Sequence, residues 1–444
     1  MITRIRLLVV LIIVLAGLMW TIFSYNSSRS VREPWEANAL IDKQNASPAL
    51  VHRVTDRHHV SLIVAKREMA GRHKTTVLEH PFGSALSAVG IGRSRSIGGV
   101  LAHLRDPGFD SPWAPTQLSA ASRWLLGDTA LCPKTLPEEV TTTYDAVISQ
   151  RVYETLQKFG KVASVVVMGV PDGDVLASVD FPGPDVDESK RPPDKRHSLS
   201  VFLPVRPASS MKTITTAYML TYGRGDPHAV VNCDGVNCWR RHGKVKGLRR
   251  ALVDSCNNWF GAQVQSFDRK EFECFLAMAG FLPRPVLGIP DASAIMPLRG
   301  DSEVNWAEVV GLQVWTTPLA LAAAYGTCTD PEGRRVTPRV LLQADGQSFV
   351  LAERLKVTTP EVTAEIRAHL RAVATTGTAR SLGKMLGGHV GAKTGTGPDG
   401  DALLAVVYPI EQPRYVMILH VQGGGSGSRL TGLAARIVRT LADG

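Results

Sequence analysis

Three short segments hold residue types that work together in acyl transfer: Ser209-Ser210-Met211-Lys212, Ser255-Cys256-Asn257 and Lys393-Thr394-Gly395-Thr396. A serine hydroxyl is a weak nucleophile and needs a base, and a lysine can be that base only after losing its ammonium proton. Ser209 and Lys212, at i and i+3, share one helix face. Burial and a second cation both depress a lysine pKa, and Lys393 is the candidate for that cation. A helix starting near Ser209 points backbone N–H groups toward a developing oxyanion. Ser255 and Asn257 on one turn can face one cleft, the first relaying a proton and the second donating its amide to a substrate carbonyl. Lys393 and Thr394 suit a carboxylate, Gly395 lets an extended peptide approach the strand edge, and the Thr396 N–H is a candidate second oxyanion donor.

Each pattern alone is weak. Ser381-Leu382-Gly383-Lys384 also fits Ser-x-x-Lys, and Ser24-Tyr25-Asn26 fits Ser-x-Asn. A surface serine beside a helix lysine, a helix cap at Ser255 and a structural strand-to-turn segment at Gly395 are the plain readings. Order separates them, because only the Ser209 copy lies upstream of both partner segments.

The elements that must position these residues follow from periodicity and turn signals. A helix is expected over 144–159, then strands over 164–168 and 175–179 joined by the turn Pro171-Asp172-Gly173-Asp174. Helices dominate 210–282 and recur over 318–325 and 360–376. Strands at 390–394, 403–408 and 414–421 precede a glycine-rich break and a final helix over 430–442. Strands from both ends with helices between them imply one sheet closed by the two termini, an α/β (α+β) sandwich.

The chain has 444 residues, which suggests two or three units. Residues 7–23 carry no charge and follow Arg4-Ile5-Arg6. That length just spans a bilayer and exceeds a signal-peptide core, so 1–30 reads as a cytoplasmic tip and transmembrane anchor. Residues 31–140 read as a small spacer or pedestal module and 141–444 as the catalytic domain. Arg29 and Arg32 beyond the apolar run leave the orientation unsettled by charge alone.

Hydrophobic residues make up 44% and charged residues 20%, a globular balance. The net charge of +10 is spread along the chain, densest from Arg240 to Arg250, and no motif accompanies it that would indicate nucleic-acid binding. Six cysteines in so long a chain do not form a disulfide scaffold. Cys233 and Cys238 are spaced to close a small loop in an oxidising compartment, and the others read as single buried thiols. A zinc site there lacks a second close Cys/His pair in the sequence, so no metal and no cofactor is expected.

Taken together, the three boxes resemble the penicillin-binding protein transpeptidases, within the penicilloyl-serine transferases. The likeness extends to Thr143-Tyr144-Asp145 with Gln150, Cys238-Trp239 with His242-Gly243, Thr317-Pro318-Leu319 with 322–325, Thr337-Pro338-Arg339 and Gly377-Thr378-Ala379, all in family order. It covers about 141–444. The resemblance implies a five-stranded antiparallel sheet sandwiched by helices, with an all-helical lobe and the site between them. It implies that Ser209 attacks the D-Ala-D-Ala amide of a peptidoglycan stem peptide, with Lys212 as base. Ser255 and Lys393 would pass a proton to the leaving amine, and Asn257, Thr394, Gly395 and Thr396 would hold substrate. Implied partners are stem peptides, β-lactams and the cytoplasmic membrane, and other cell-wall synthesis proteins are compatible. Such substrates lie outside the membrane, which orients the N-terminus inside and the catalytic domain on the extracytoplasmic, periplasmic side.

Ala208 stands where the family commonly has glycine and Ser210 where threonine is usual. The 31–140 segment is short for the pedestal of a monofunctional (class B) enzyme and has no room for a glycosyltransferase module. Transfer to water instead of an amine would make a D,D-carboxypeptidase. A serine β-lactamase needs a further hydrolytic base that no residue supplies, and a β-lactam sensor needs more cytoplasmic chain than the six residues before the apolar run. A catalytically silent scaffold has no chemical need for Ser209, Lys212, Ser255, Asn257 and Lys393 together.

Overall fold

The computed structural model describes residues 53–70, 73–89, 138–182, 204–282, 303–349 and 353–442. In chain order the strands are β1 (Arg53–Thr55), β2 (Ser61–Ala70), β3 (His73–Glu79), β4 (Glu139–Thr142), β5 (Ala163–Gly169), β6 (Val175–Phe181), β7 (Val230–Cys233), β8 (Gly243–Lys246), β9 (Leu341–Ala344), β10 (Gln347–Ser348), β11 (Gly391–Thr396), β12 (Ala402–Tyr408) and β13 (Tyr415–Val421). The helices that frame the core and the site are α1 (Ala146–Phe159), α2 (Met211–Tyr222), α3 (Gly247–Asp254), α4 (Asn257–Gly261), α5 (Arg269–Ala279), α6 (Pro318–Thr329), α7 (Pro360–Thr376) and α8 (Thr431–Ala442).

The order β11-β12-β13-β5-β6 makes a five-stranded sheet, antiparallel at every pairing, in which the chain's late strands close against its early ones. All seven residues of β5 are buried, and β12 and β13 are buried except at one end residue each. Strands covered on both faces need apolar side chains at consecutive positions, which is why these segments read as unbroken aliphatic runs. Helix α1 packs on β6, α8 packs on α1 and β12, and α6 packs on β5, β12 and β13. Every residue of α6 is buried, the pattern of a helix that is apolar all round. It packs against α2 and α7, and Gly326 makes room for Met168 of β5 and for Val336, so the helix that follows Ser209 rests on α6, and α6 on the sheet.

Caps fix where these helices begin. Thr317 and Thr359 accept from Ala320 N and Val362 N, and each is followed by proline at the first helical position. Asp145 accepts from Ile148 N at 2.8 Å to start α1, and Gly160 ends it with φ +72°.

A second sheet, β10-β9-β4-β1-β2-β3, was not expected from the sequence. The boundary drawn between 140 and 141 falls inside β4, which pairs parallel with β1 and antiparallel with β9. Residues on both sides of that boundary therefore share one sheet. Asp56, just past β1, reinforces the join: one carboxylate oxygen accepts from His58 N and Val60 N and the other from Ala146 N, in the first turn of α1. The expected helical stretch 210–282 is likewise interrupted by the β7–β8 hairpin. The anchor expected within 1–30 lies outside the described residues, as does most of 31–140. Among the described residues no helix is long and apolar enough to cross a membrane.

Ile418, fully buried in β13, reports on this sheet. Ile418→Ala is expected to cost about 2–5 kcal/mol in denaturant unfolding. Val147→Ala, at a position 54% exposed on α1, should stay within about 0.5 kcal/mol. Equal effects at the two positions would contradict the layer arrangement.

Candidate active site

Ser209 lies in a 3-10 turn, Ala208–Ser210, that feeds directly into α2, and not in the α-helix itself. Ala208 has φ +48°, a left-handed conformation that a Cβ disfavours. That accounts for the glycine the family commonly places here. The turn is held from several sides. Ala208 N donates to Gly311 O at 2.9 Å, Ser210 Oγ donates to Pro207 O, and Tyr325 Oη donates to Ser210 O at 2.8 Å while lying 2.9 Å from Thr213 Oγ1. Gly311 is at φ +79°, and a Cβ there would fall 2.3 Å from Ala208 O and 2.7 Å from Met211 Cβ.

One helical turn on, Lys212 is fully buried. Its Nζ lies 3.0 Å from Ser209 Oγ, 3.2 Å from Ser255 Oγ, 2.8 Å from Ser255 O and 2.5 Å from Asn257 Oδ1. The Phe260 ring forms a wall, its centroid 5.8 Å from Nζ. Ser255 reaches this position because α3 stops at Asp254 and Ser255 takes the left-handed C-cap, φ +55°, with Asn257 opening α4 two residues later.

Lys393, also fully buried, projects from β11 to place Nζ 2.9 Å from Ser255 Oγ and 3.1 Å from Thr394 O. Thr394 Oγ1 lies 2.6 Å from Thr378 Oγ1. A Cβ on Gly395 would meet Pro207 O at 3.0 Å and Leu403 Cβ at 3.1 Å, so this glycine lets β11 run against the nucleophile turn. Thr396 continues the strand with an exposed side chain.

Five of the eight expected residues, Ser209, Lys212, Ser255, Asn257 and Lys393, thus form one hydrogen-bonded cluster, and Thr394 and Gly395 border it. The decoy pair Ser381 and Lys384 is exposed, and Ser24 lies outside the described residues. Tyr325, Thr378 and Gly311 support the site without having been assigned a role from the sequence. Tyr325 and Thr378 sit in segments noted as family landmarks, whereas nothing local marks Gly311.

Burial lowers the Lys212 pKa to about 7, against an opposing pull from Cys238 and Cys256. Lys393 is lowered well below the usual lysine range, first by burial and then by the charge of Lys212. The expected roles are therefore adjusted: desolvation, not the charge of Lys393, is the main reason Lys212 can be neutral near pH 7. A neutral Lys212 has a lone pair to accept the Ser209 proton, which is what general-base activation requires.

The cysteines differ from expectation. Cys233 and Cys238 are free thiols and do not close a disulfide loop, and Cys274 is exposed where a buried thiol was expected. The close pair absent from the sequence reading is supplied in space by His242 and Cys256.

The sequence profile of the penicillin binding protein transpeptidase domain matches residues 163–443, more than half of the chain. The chain belongs to the penicillin-binding protein transpeptidase family. Among curated proteins, none matches this sequence. Among solved structures, penicillin binding protein 3 of Mycobacterium tuberculosis in complex with aztreonam aligns at a TM-score of 0.69 and 20% identity, over 89% of this chain and 96% of that one. The D,D-transpeptidase domain of a peptidoglycan glycosyltransferase from Eggerthella lenta aligns at 0.71 and 18% identity, over 89% and 99% of the two chains. PBPA of M. tuberculosis aligns at 0.67 and 18%, over 90% and 99%. At such identities these likenesses show a shared fold, and the three family boxes here sit on it in one cluster.

Gly311→Ala would push its Cβ into the Ala208 carbonyl and displace the turn that carries Ser209. Acylation of this variant by a fluorescent penicillin is expected to slow at least about tenfold, equivalent to about 1.4 kcal/mol in barrier. Its far-UV circular dichroism should stay unchanged. Wild-type acylation kinetics would show that Gly311 does not shape the turn.

Proposed function

We propose that the protein is a serine D,D-transpeptidase that acylates itself on the D-Ala-D-Ala end of peptidoglycan stem peptides. The observation that carries this reading is Lys212 Nζ lying within 3.2 Å of both Ser209 Oγ and Ser255 Oγ, with Lys393 on the far side of Ser255. Ser209 Oγ adds to the carbonyl carbon of the penultimate D-Ala while its proton passes to neutral Lys212. The oxyanion is received by backbone N–H groups at the Ser209 turn and at Thr396 on β11. A proton then moves through Ser255, flanked by the two lysines, to the departing amine, so that the C–N bond breaks and free D-Ala leaves. Asn257 holds the peptide through its side-chain amide, and Lys393 and Thr394 attract the terminal carboxylate. An amine of a neighbouring stem peptide attacks the ester carbonyl, the ester C–O bond breaks, and the amine's proton passes along the same relay to Ser209 Oγ, leaving the cross-link and the free hydroxyl. A β-lactam follows the first half of this path with its strained amide in place of the peptide. The substrate's location outside the cytoplasmic membrane supports an anchor at 7–23 with the catalytic domain on the outer side.

Full-length wild-type protein in detergent should form a covalent, denaturation-resistant adduct with a fluorescent penicillin, and Ser209→Ala should form none. With a stem-peptide donor and an amine acceptor, mass spectrometry should show the cross-linked dimer. Labelling of Ser209→Ala would sink the nucleophile assignment, and the donor acid shortened by one D-Ala as the sole product would identify a carboxypeptidase.

The depressed Lys212 pKa sets a pH dependence. The neutral amine is the active form, so below about pH 7 the acylation rate constant should fall toward tenfold per pH unit, and above it the rate should level off. Stopped-flow acylation across pH 5–9 checks this limb, and a profile flat from pH 5 upward would remove Lys212 from the base role.

A further inference from the structure

We propose that Cys233, Cys238, His242 and Cys256 form a four-ligand zinc site that fastens the Ser255-Cys256-Asn257 turn to the β7–β8 hairpin. The four residues come from separate pieces of chain: Cys233 ends β7, Cys238 lies in the connection, His242 immediately precedes β8, and Cys256 is the N-cap of α4. One ligand atom from each lies within 4.8 Å of all the others. Zn–S bonds of about 2.3 Å at tetrahedral angles separate sulfurs by about 3.8 Å and sulfur from nitrogen by about 3.6 Å. Cys238 and Cys256 Sγ stand 3.8 Å apart, and Cys233 Sγ stands 3.3 Å from His242 Nδ1. A disulfide would need about 2.0 Å between sulfurs, and three thiols in one cluster cannot all pair with each other.

The surroundings suit a bound metal. Asn257 N donates to Cys238 Sγ at 3.1 Å, the outer hydrogen bond that metal thiolates commonly receive. His242 turns Nδ1 into the cluster, 3.3 Å from Cys233 Sγ. Three thiolates and one imidazole form a donor set that favours zinc over hard, oxygen-seeking cations. On binding, the three thiol protons pass to solvent, the neutral imidazole supplies a lone pair, and no electron changes hands.

Cys256 is the middle residue of the motif whose outer residues hold Lys212. A metal bond at Cys256 therefore pins the peptide that keeps Ser255 at φ +55° and Asn257 Oδ1 on Lys212 Nζ. In this arrangement the four ligands are positioning residues, acting on the reaction only through Ser255 and Asn257.

Metal analysis of the full-length protein, purified without chelators, should give about one zinc per chain, and cobalt exchange should produce the intense visible bands of a tetrahedral thiolate site. Cys233→Ser and His242→Ala should lose most of the metal, while Cys274→Ser should keep it. In case the variants fail to fold, wild type treated with a strong chelator should lose thermal stability and regain it with zinc. Metal content is read without reference to penicillin labelling, so its failure is distinct from failure of the transpeptidase reading. Folded wild-type protein that carries no zinc and takes up neither zinc nor cobalt would overturn the site, and so would a mapped Cys238–Cys256 disulfide.

Discussion

A lysine amine removed entirely from water must find its hydrogen-bond partners inside the protein, and Lys212 is the case around which this site is organised. An uncompensated buried charge costs several kcal/mol, so the acceptors at Lys212 have to be delivered by the fold itself. They come from the Ser209 turn, three residues before Lys212, and from the α3–α4 junction, 43–45 residues after it. Bringing the two together requires α2 to lie flat on α6 and α3 to stop at Ser255. The fully buried α6 and the left-handed cap at Ser255 serve that one requirement.

The second constraint is that two buried amines contact one hydroxyl. Ser255 Oγ has a single proton and two lone pairs, and it lies 3.2 Å from Lys212 Nζ and 2.9 Å from Lys393 Nζ. It can accept from a charged amine on one side while donating to a neutral amine on the other. Burial makes a second positive charge costly, so a proton gained at one lysine favours its loss at the other. The row Ser209, Lys212, Ser255, Lys393 is thereby a path along which a proton can be taken at one end and released at the other. Its direction is set by the stage of the reaction and not by the static arrangement.

The parts of this that were readable from sequence are those whose signal is local. The runs in β5, β12 and β13 announce strands buried on both faces, and α7 was bounded correctly at 360–376 because Thr359-Pro360 starts it and Gly377 ends it. Ser209 and Lys212 were legible because i and i+3 is itself a geometric statement. The second sheet was not, since β1 and β10 span only three and two residues and β4 pairs with β1 and β9, both distant from it in sequence. The Asp345-Gly346 turn joining β9 to β10, with φ values of +45° and +77°, is a local hairpin signal, but it marks that hairpin alone and not its place beside β4. His242 and Cys256 were invisible as a pair because their meeting depends on how the β7–β8 hairpin folds back on α4.

Ala208 shows how the remaining precision is obtained. An L-residue in the left-handed region costs roughly 1–2 kcal/mol relative to the right-handed one, and it persists only where its surroundings over-determine it. Here the surroundings are Gly311, whose missing side chain makes room for the Ala208 carbonyl, Gly395, whose missing side chain lets β11 close on Pro207, and Tyr325, which grips Ser210 O. The glycines sit opposite the strained residue instead of within it, so the turn cannot relax by moving toward either neighbour. The strain is met by folding, and it holds Ser209 Oγ within hydrogen-bond reach of Lys212 Nζ in the free protein.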